Sequence, residues 1–201
     1  MALFRHGLTE LNKLKAYIGW TDAPILDDAK ESLSAIEPSP YEVVVTSDLK
    51  RCLQTAEILF PEKEPIALPE FREMNFGPWE GKRYAELAGQ PQYEEWLSGQ
   101  FEITVPGVES YNDFSQRVEK GWEIVTAMVT DDRVHSFAIV THGGVIRNLL
   151  AKFAPNEKSF WEWKVPHGNG FELVWPSKEA FRRGERCTLL REVLLTGNPN
   201  G

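Results

Sequence analysis

The sequence predicts an α/β fold, a three-layer α/β/α sandwich with a mostly parallel sheet and helices on both of its faces. Two observations predict it. Short β-branched runs alternate along the chain with amphipathic stretches. Two of those runs, YEVVVT over Tyr41–Thr46 and SFAIVT over Ser136–Thr141, look like strands covered on both faces, as in a parallel sheet.

Each element can be justified in turn. Leu3-Phe4 closes a short first strand, Tyr41–Thr46 forms a second, Ile66–Leu68 a third and Ser136–Thr141 a fourth, with Phe171–Trp175 and Thr188–Leu195 as two more candidates. A helix over Leu49–Phe60 opens after Ser47-Asp48, a pair suited to an N-cap, and stops at Pro61. Tyr111, Phe114, Val118, Trp122, Val125 and Val129 recur at spacings of three and four, so one apolar stripe runs along a long helix over Ser110–Val129. A further helix begins at Gly143-Gly144, turns Val145, Leu149 and Leu150 inward and ends before Pro155. The segment 71–109, rich in aromatic residues, reads as a lid whose Trp79, Tyr84, Trp96 and Val108 shape the leaving-group pocket, with Trp20, Phe76, Trp79 and Trp96 read as core or lid-packing rings rather than substrate platforms, while Thr196–Gly201 reads as a frayed tail. No internal repeat divides the chain, and 1–201 is expected to be one domain.

Charge narrows the function. Lys and Arg number 22 against 30 Asp and Glu, a net charge of -8, which repels nucleic acid and anionic membrane over most of the surface. Any anion site must therefore be a local basic pocket. No apolar run is long enough to span a membrane, and Met1-Ala2-Leu3-Phe4 runs straight into Arg5-His6, too short for a secretory segment. Cys52 and Cys187 have no metal-ligand spacing and read as free, buried thiols; a cytoplasmic address follows.

Four clusters put charged or imidazole groups where a strand ends, the place where open α/β sheets bind ligands. Arg5-His6-Gly7 follows the first strand, with Thr9 and Asn12 beyond it; Ser47 to Arg51 follows the second; Phe71 to Gly77 follows the third; Thr141-His142-Gly143-Gly144 follows the fourth. The ligand that suits them together is a phosphate. Guanidinium forks match its oxygens, and the N–H groups at a helix start, here after His142, favour an anion. At an effective dielectric near 20, one such contact at about 4 Å is worth about 4 kcal/mol before desolvation. A neutral His6 can attack phosphorus through one ring nitrogen while the other donates to a carbonyl. Glu70, Glu73 and Glu80 share one stretch, and on physical grounds any of them can be the acid or merely solvated.

The stretches FRHGLTELN, YIGWTDAP, SDLKRCLQTA, REMNFGPWEG, PGVES and VTHGG, which span Phe4–Gly144 in order, resemble the histidine phosphatase superfamily. The resemblance implies a phosphoglycerate-mutase-like fold, and within it the small-phosphatase branch that includes α-ribazole-5′-phosphate phosphatases. It further implies that His6 is phosphorylated, that Arg5, Asn12, Arg51, His142 and the adjacent Gly143 bind the phosphate, and that Glu73 donates the proton. The implied activity is hydrolysis of a small phosphomonoester, α-ribazole phosphate or a broader range, with no cofactor and no metal. Three departures stand out: a short first strand, Ile25–Lys30 in place of the usual Leu-x-x-x-Gly element, and Pro166–Gly170 in place of a simpler polar turn, which leaves the position of His167 open.

The chemistry has rivals. Neither cysteine is followed by Arg at the sixth position, and neither a Walker loop nor a zinc-ligand pattern is present. A phosphoglycerate mutase is the rival within the fold, although this chain has no room for the larger insertion and longer tail usual there. A binding module that recognises phosphate without turning it over is the rival of another class. An apolar strand edge near the C-terminus suits a homodimer.

Overall fold

The computed structural model describes residues 1–36, 40–99, 103–129 and 134–194. Its strands are β1 (Ala2–Arg5), β2 (Val43–Thr46), β3 (Ile66–Ala67), β4 (Phe137–Thr141), β5 (Asn169–Val174) and β6 (Leu189–Leu194). Its α-helices are α1 (Glu10–Lys13), α2 (Asp27–Ser34), α3 (Lys50–Leu59), α4 (Tyr84–Leu87), α5 (Pro91–Ser98), α6 (Tyr111–Met128), α7 (Gly143–Phe153) and α8 (Lys178–Arg182). The six strands form one sheet in the order β3-β2-β4-β1-β5-β6.

The sheet is parallel from β3 through β2 and β4 to β1, and antiparallel where β5 and β6 join it. The parallel part matches the expected character of the sheet, and β5 and β6 make it mixed. Side chains alternate across it as the strand period demands. Leu3, Val45 and Ile139 face one core with Phe114, Val118, Trp122 and Val125 of α6 and Val145, Leu149 and Leu150 of α7. Ala2, Phe4, Val44, Ala138 and Val140 face the other, against Leu33 of α2 and Cys52, Ala56 and Leu59 of α3. Both faces are therefore covered, and β4 is buried along its whole length.

The apolar stripe of α6 is buried as its spacing requires, and Ser110 caps the helix by accepting from the Asp113 N–H. The start of α3 differs from expectation. Leu49, not Ser47 or Asp48, is the N-cap residue and supplies no side-chain cap; Asp22, from a distant loop, accepts from the Lys50 N–H at 2.7 Å. Asp48 instead pairs with Arg72, at 2.7 and 2.5 Å. The tail expected to fray, Thr196–Gly201, lies outside the described residues.

Tyr93 and Trp96 of α5 are fully buried, Trp79 nearly so, and together with Tyr17 and Phe76 they form a mutually packed ring cluster with centroid separations from 4.9 to 6.2 Å. Among the described residues no helix is long and apolar enough to cross a membrane.

Candidate active site

The carboxyl ends of β1, β2 and β4 bring Arg5, His6, Arg51 and His142 together. β1 and β4 pair with Arg5 beside Thr141, and the His6 N–H continues the ladder to the Thr141 carbonyl at 2.9 Å. The histidines that follow the two strands are thereby neighbours, with ring centroids 5.1 Å apart. Gly7 N–H donates to Thr55 Oγ1, which in turn donates to the Arg51 carbonyl one turn earlier on α3.

His6 is buried, and its Nδ1 lies 2.7 Å from the Gly7 carbonyl oxygen. A carbonyl only accepts, so Nδ1 carries the hydrogen and Nε2 keeps a free lone pair. Burial, then the charges of Arg51, Arg5 and His167, hold its pKa well below the ordinary imidazole value. His142 is likewise held neutral, by burial first and then by Arg51, His6 and Arg5. Its Nδ1 accepts from Arg51 Nε at 3.2 Å, which places the hydrogen on Nε2, facing Ser47 Oγ at 3.0 Å.

Arg51 is fully buried. Its Nη1 and Nη2 donate to the carbonyls of Thr21 and Gly19 at 2.7 and 2.6 Å. Arg51 is thus not the surface arginine paired with Asp48 or Glu57 that its helix position would otherwise suggest. The Gly19–Thr21 loop is itself gripped by Glu80. That carboxylate accepts from the N–H groups of Gly19, Trp20, Thr21 and Phe76 at 2.9–3.1 Å and from the Thr21 hydroxyl at 2.6 Å. Glu80 is a positioning residue for Arg51, and its acidity alone did not separate it from Glu70 or Glu73 in the sequence.

Arg5 is nearly buried in guanidinium-rich surroundings. Its Nη1 donates to the Val165 carbonyl, and its Nε is buried without a hydrogen-bond partner among the described residues. Desolvation, opposed by Glu73 and reinforced by Arg147 and Arg51, lowers its pKa to about 10, so it stays cationic at neutral pH. Gly143, the first residue of α7, lies against it; a Cβ there would sit 3.3 Å from the Arg5 guanidinium carbon.

Glu73 reaches the same region from the lid side. Its Oε2 accepts from the Gly144 N–H at the start of α7 at 2.9 Å, and its Oε1 from the Met74 N–H at 3.0 Å. Gly144 permits this approach, since a Cβ there would fall 2.1 Å from Glu73 Oε1. The main chain around Glu73 is braced by Arg117, which donates to the carbonyls of Glu70, Arg72 and Glu73 at 2.9–3.2 Å and pairs with Glu109 at 2.7 Å.

Asn12 stands apart from these five. Its carboxamide oxygen accepts from the Thr9 N–H and hydroxyl, closing the capping box of α1, and no hydrogen bond or ring contact among the described residues ties it to the histidine pair. Trp79 and Trp96 are buried in the main apolar core together with Val108, where packing rings belong, and Tyr84 is exposed. The cavity beside Glu73, about 90 Å³, is lined by Met74, Phe76, Phe114, Gly144, Arg147 and Phe160. Among the described residues, no three His, Cys, Asp or Glu side chains are grouped so as to hold a metal ion.

Two neutral imidazoles, one fully and one nearly buried guanidinium and a carboxylate at one helix start suit an enzyme of phosphoryl transfer. Comparison with known proteins agrees. The family model of the histidine phosphatase superfamily (branch 1) matches residues 1–180. The adenosylcobalamin/alpha-ribazole phosphatase of Salmonella typhimurium is 27% identical over 175 residues, covering 83% of this chain and 85% of that protein. The crystal structure of the alpha-ribazole phosphatase from Shigella flexneri superposes with a TM-score of 0.78 at 25% identity, covering 88% of this chain and 91% of that one. A phosphoglycerate mutase structure from Thermus thermophilus gives a TM-score of 0.68 at 28% identity, covering 94% of this chain and 96% of that one. The chain belongs to the histidine phosphatase superfamily, branch 1, and is a phosphatase.

Proposed function

We propose that this enzyme hydrolyses a small phosphorylated metabolite through a covalent phosphohistidine on His6. The observation that carries the reading is the Nδ1 contact with the Gly7 carbonyl at 2.7 Å, which leaves Nε2 unprotonated inside a cationic pocket. Nε2 attacks phosphorus as the bond to the leaving oxygen breaks, and Glu73 in its acid form gives its proton to that oxygen. The Glu73 carboxylate then takes a proton from water as the water oxygen attacks phosphorus and the P–N bond breaks. Neutral His6 and inorganic phosphate result. Arg5, Arg51 and the Gly143 N–H stabilise the charge on the phosphoryl oxygens; His142 joins them only if its Nε2–H turns from Ser47 to a phosphoryl oxygen, and Asn12 only if its amide turns toward the pocket on binding.

Rapid quenching into base during turnover, followed by peptide mass spectrometry, tests the reading. Phosphate is expected on the His6 peptide, labile to acid and absent in His6→Ala. Its absence during steady turnover overturns the mechanism.

For the substrate, the aromatic lining beside Glu73 supports an alcohol with a partly apolar or aromatic portion, as in the alpha-ribazole phosphatases this chain resembles. A panel of phosphomonoesters ranked by kcat/KM should place α-ribazole phosphate or another aromatic nucleoside-like ester above sugar phosphates. The mutase alternative is the weaker one, and 3-phosphoglycerate should yield free phosphate rather than 2-phosphoglycerate. Two buried free thiols support a reducing, cytoplasmic setting. The outer edge of β6, with Leu189 exposed, is where we place a homodimer contact, to be read by light scattering.

A further inference from the structure

The turn ahead of β5 brings a third imidazole to the pair. β5 runs antiparallel to β1 with Phe4 opposite Gly170, so the residues following Phe4 flank those preceding Gly170. Gly168, at φ +72°, takes the left-handed conformation that turns the chain there. His167 is thereby set with its ring centroid 5.6 Å from that of His6, the planes inclined at 64°. Two residues earlier, the Val165 carbonyl holds Arg5. The segment 165–167 therefore wraps the pocket on its β5 side, touching Arg5 with its backbone and His6 with its side chain.

Two polar atoms on this side lack partners. His167 Nδ1 and Arg5 Nε are both buried with no hydrogen bond among the described residues. A buried polar atom left unpaired costs about 1–3 kcal/mol, and such atoms in a native site call for an explanation. Each belongs to a residue in direct contact with the His6 surroundings, and the ligand this site is built for carries several oxygens.

We propose that His167 is a phosphate-binding residue, its Nδ1 and Arg5 Nε both meeting oxygens of the phosphoryl group carried by His6. The inference rests on the reading of His6 as the phosphorylated residue and adds a ligand to that site. Nδ1 must carry a hydrogen to donate, and negative oxygens beside the ring favour that form. Without them, burial and the Arg5 charge depress the His167 pKa to about 3, against a smaller opposing contribution from the His6 backbone. The charged and titratable groups around the ring are Arg5 and His6 of the β1 end, with Lys13 and Asp28 lining the cavity on its outer side. Phosphate binding should therefore bring a hydrogen to Nδ1, either by a tautomer change or by uptake of a proton from solvent.

The chain has four histidines, so imidazole ¹⁵N spectra of the full protein can follow each ring as inorganic phosphate or orthovanadate is added. The His167 Nδ1 resonance is expected to move from the lone-pair to the N–H position at saturation. In His167→Ala, the Ki for inorganic phosphate and the KM should rise together by about tenfold, while His167→Asn, which keeps a donor, recovers part of the loss. An unmoved Nδ1 at saturating phosphate, or an unchanged Ki in a folded His167→Ala, overturns the proposal. Should the variants not fold, the wild-type spectra decide alone. Failure here leaves phosphohistidine formation intact, whereas failure of the broader reading shows as its loss in the wild type.

Discussion

At the strand ends, His6, Arg51 and His142 are buried polar groups held by hydrogen bonds of 2.6–3.2 Å. In the lid, Phe76, Trp79, Tyr93 and Trp96 pack on one another and on Tyr17, whose hydroxyl meets that of Tyr93 at 2.6 Å. The pocket gathers cations and desolvated imidazoles that oppose one another until an anion arrives, so it stands as a cost to the empty fold. The lid removes a large apolar area from water and repays the fold at once. Its other product is placement, because Glu73 and Glu80 both emerge from its first turns.

If that contrast holds, damage to the pocket should appear in chemistry and damage to the lid in stability. His6→Ala should reduce kcat by about 10⁴-fold or more, with a thermal midpoint no lower than the wild type. Glu73→Gln should lower kcat by about 10²–10⁴-fold, most for esters of poorly leaving alcohols; an equal loss for p-nitrophenyl phosphate would mean that Glu73 does not protonate the leaving group. Trp96→Ala should cost about 3–5 kcal/mol in urea unfolding, and a loss below about 1 kcal/mol would break the comparison outright.

Smaller effects sharpen it. Inorganic phosphate at 100 times its Kd should stabilise the protein by about 2.7 kcal/mol, an effect that His6→Ala retains in part and that Trp96→Ala leaves whole. The smallest effect is on pH. Imidazoles whose folded pKa lies below the unfolded value take up protons more readily when unfolded. Stability from His6, His142 and His167 is thus complete above about pH 6.5 and declines as pH falls below it. Urea titrations at pH 7.5 and 6 measure the summed loss. Activity should persist into mild acid, since His6 remains unprotonated there.

The pocket was largely legible in the sequence and the lid's inner workings were not. YEVVVT and SFAIVT announce buried strands because both faces are apolar, and the residues directly after them fall at the strand ends by chain continuity alone. His6, Arg51 and His142 needed no tertiary information beyond that. Glu80 and His167 did. Glu80 matters through a loop sixty residues earlier in the chain, and His167 through the antiparallel register of β5 on β1, neither of which leaves a local pattern. The direction of β5 and β6 was hidden for the same reason, since apolar runs do not record which way a strand points. Trp79 and Trp96 are recognisable as packing rings from their apolar mass, but which rings they meet depends on packing across several elements.

The grip on Arg51 has an electrostatic corollary. Its two Nη groups are held by the carbonyl oxygens of Gly19 and Thr21 and its Nε by a neutral imidazole, not by a carboxylate. Dipoles can aim a guanidinium without cancelling its charge, so an arriving phosphate need displace no carboxylate from Arg51. A chain with a net charge of -8 can in this way keep unpaired guanidinium charge at one site, with Glu73, Glu80 and Asp22 acting on Arg51 only through space, while its acidic exterior turns other polyanions away.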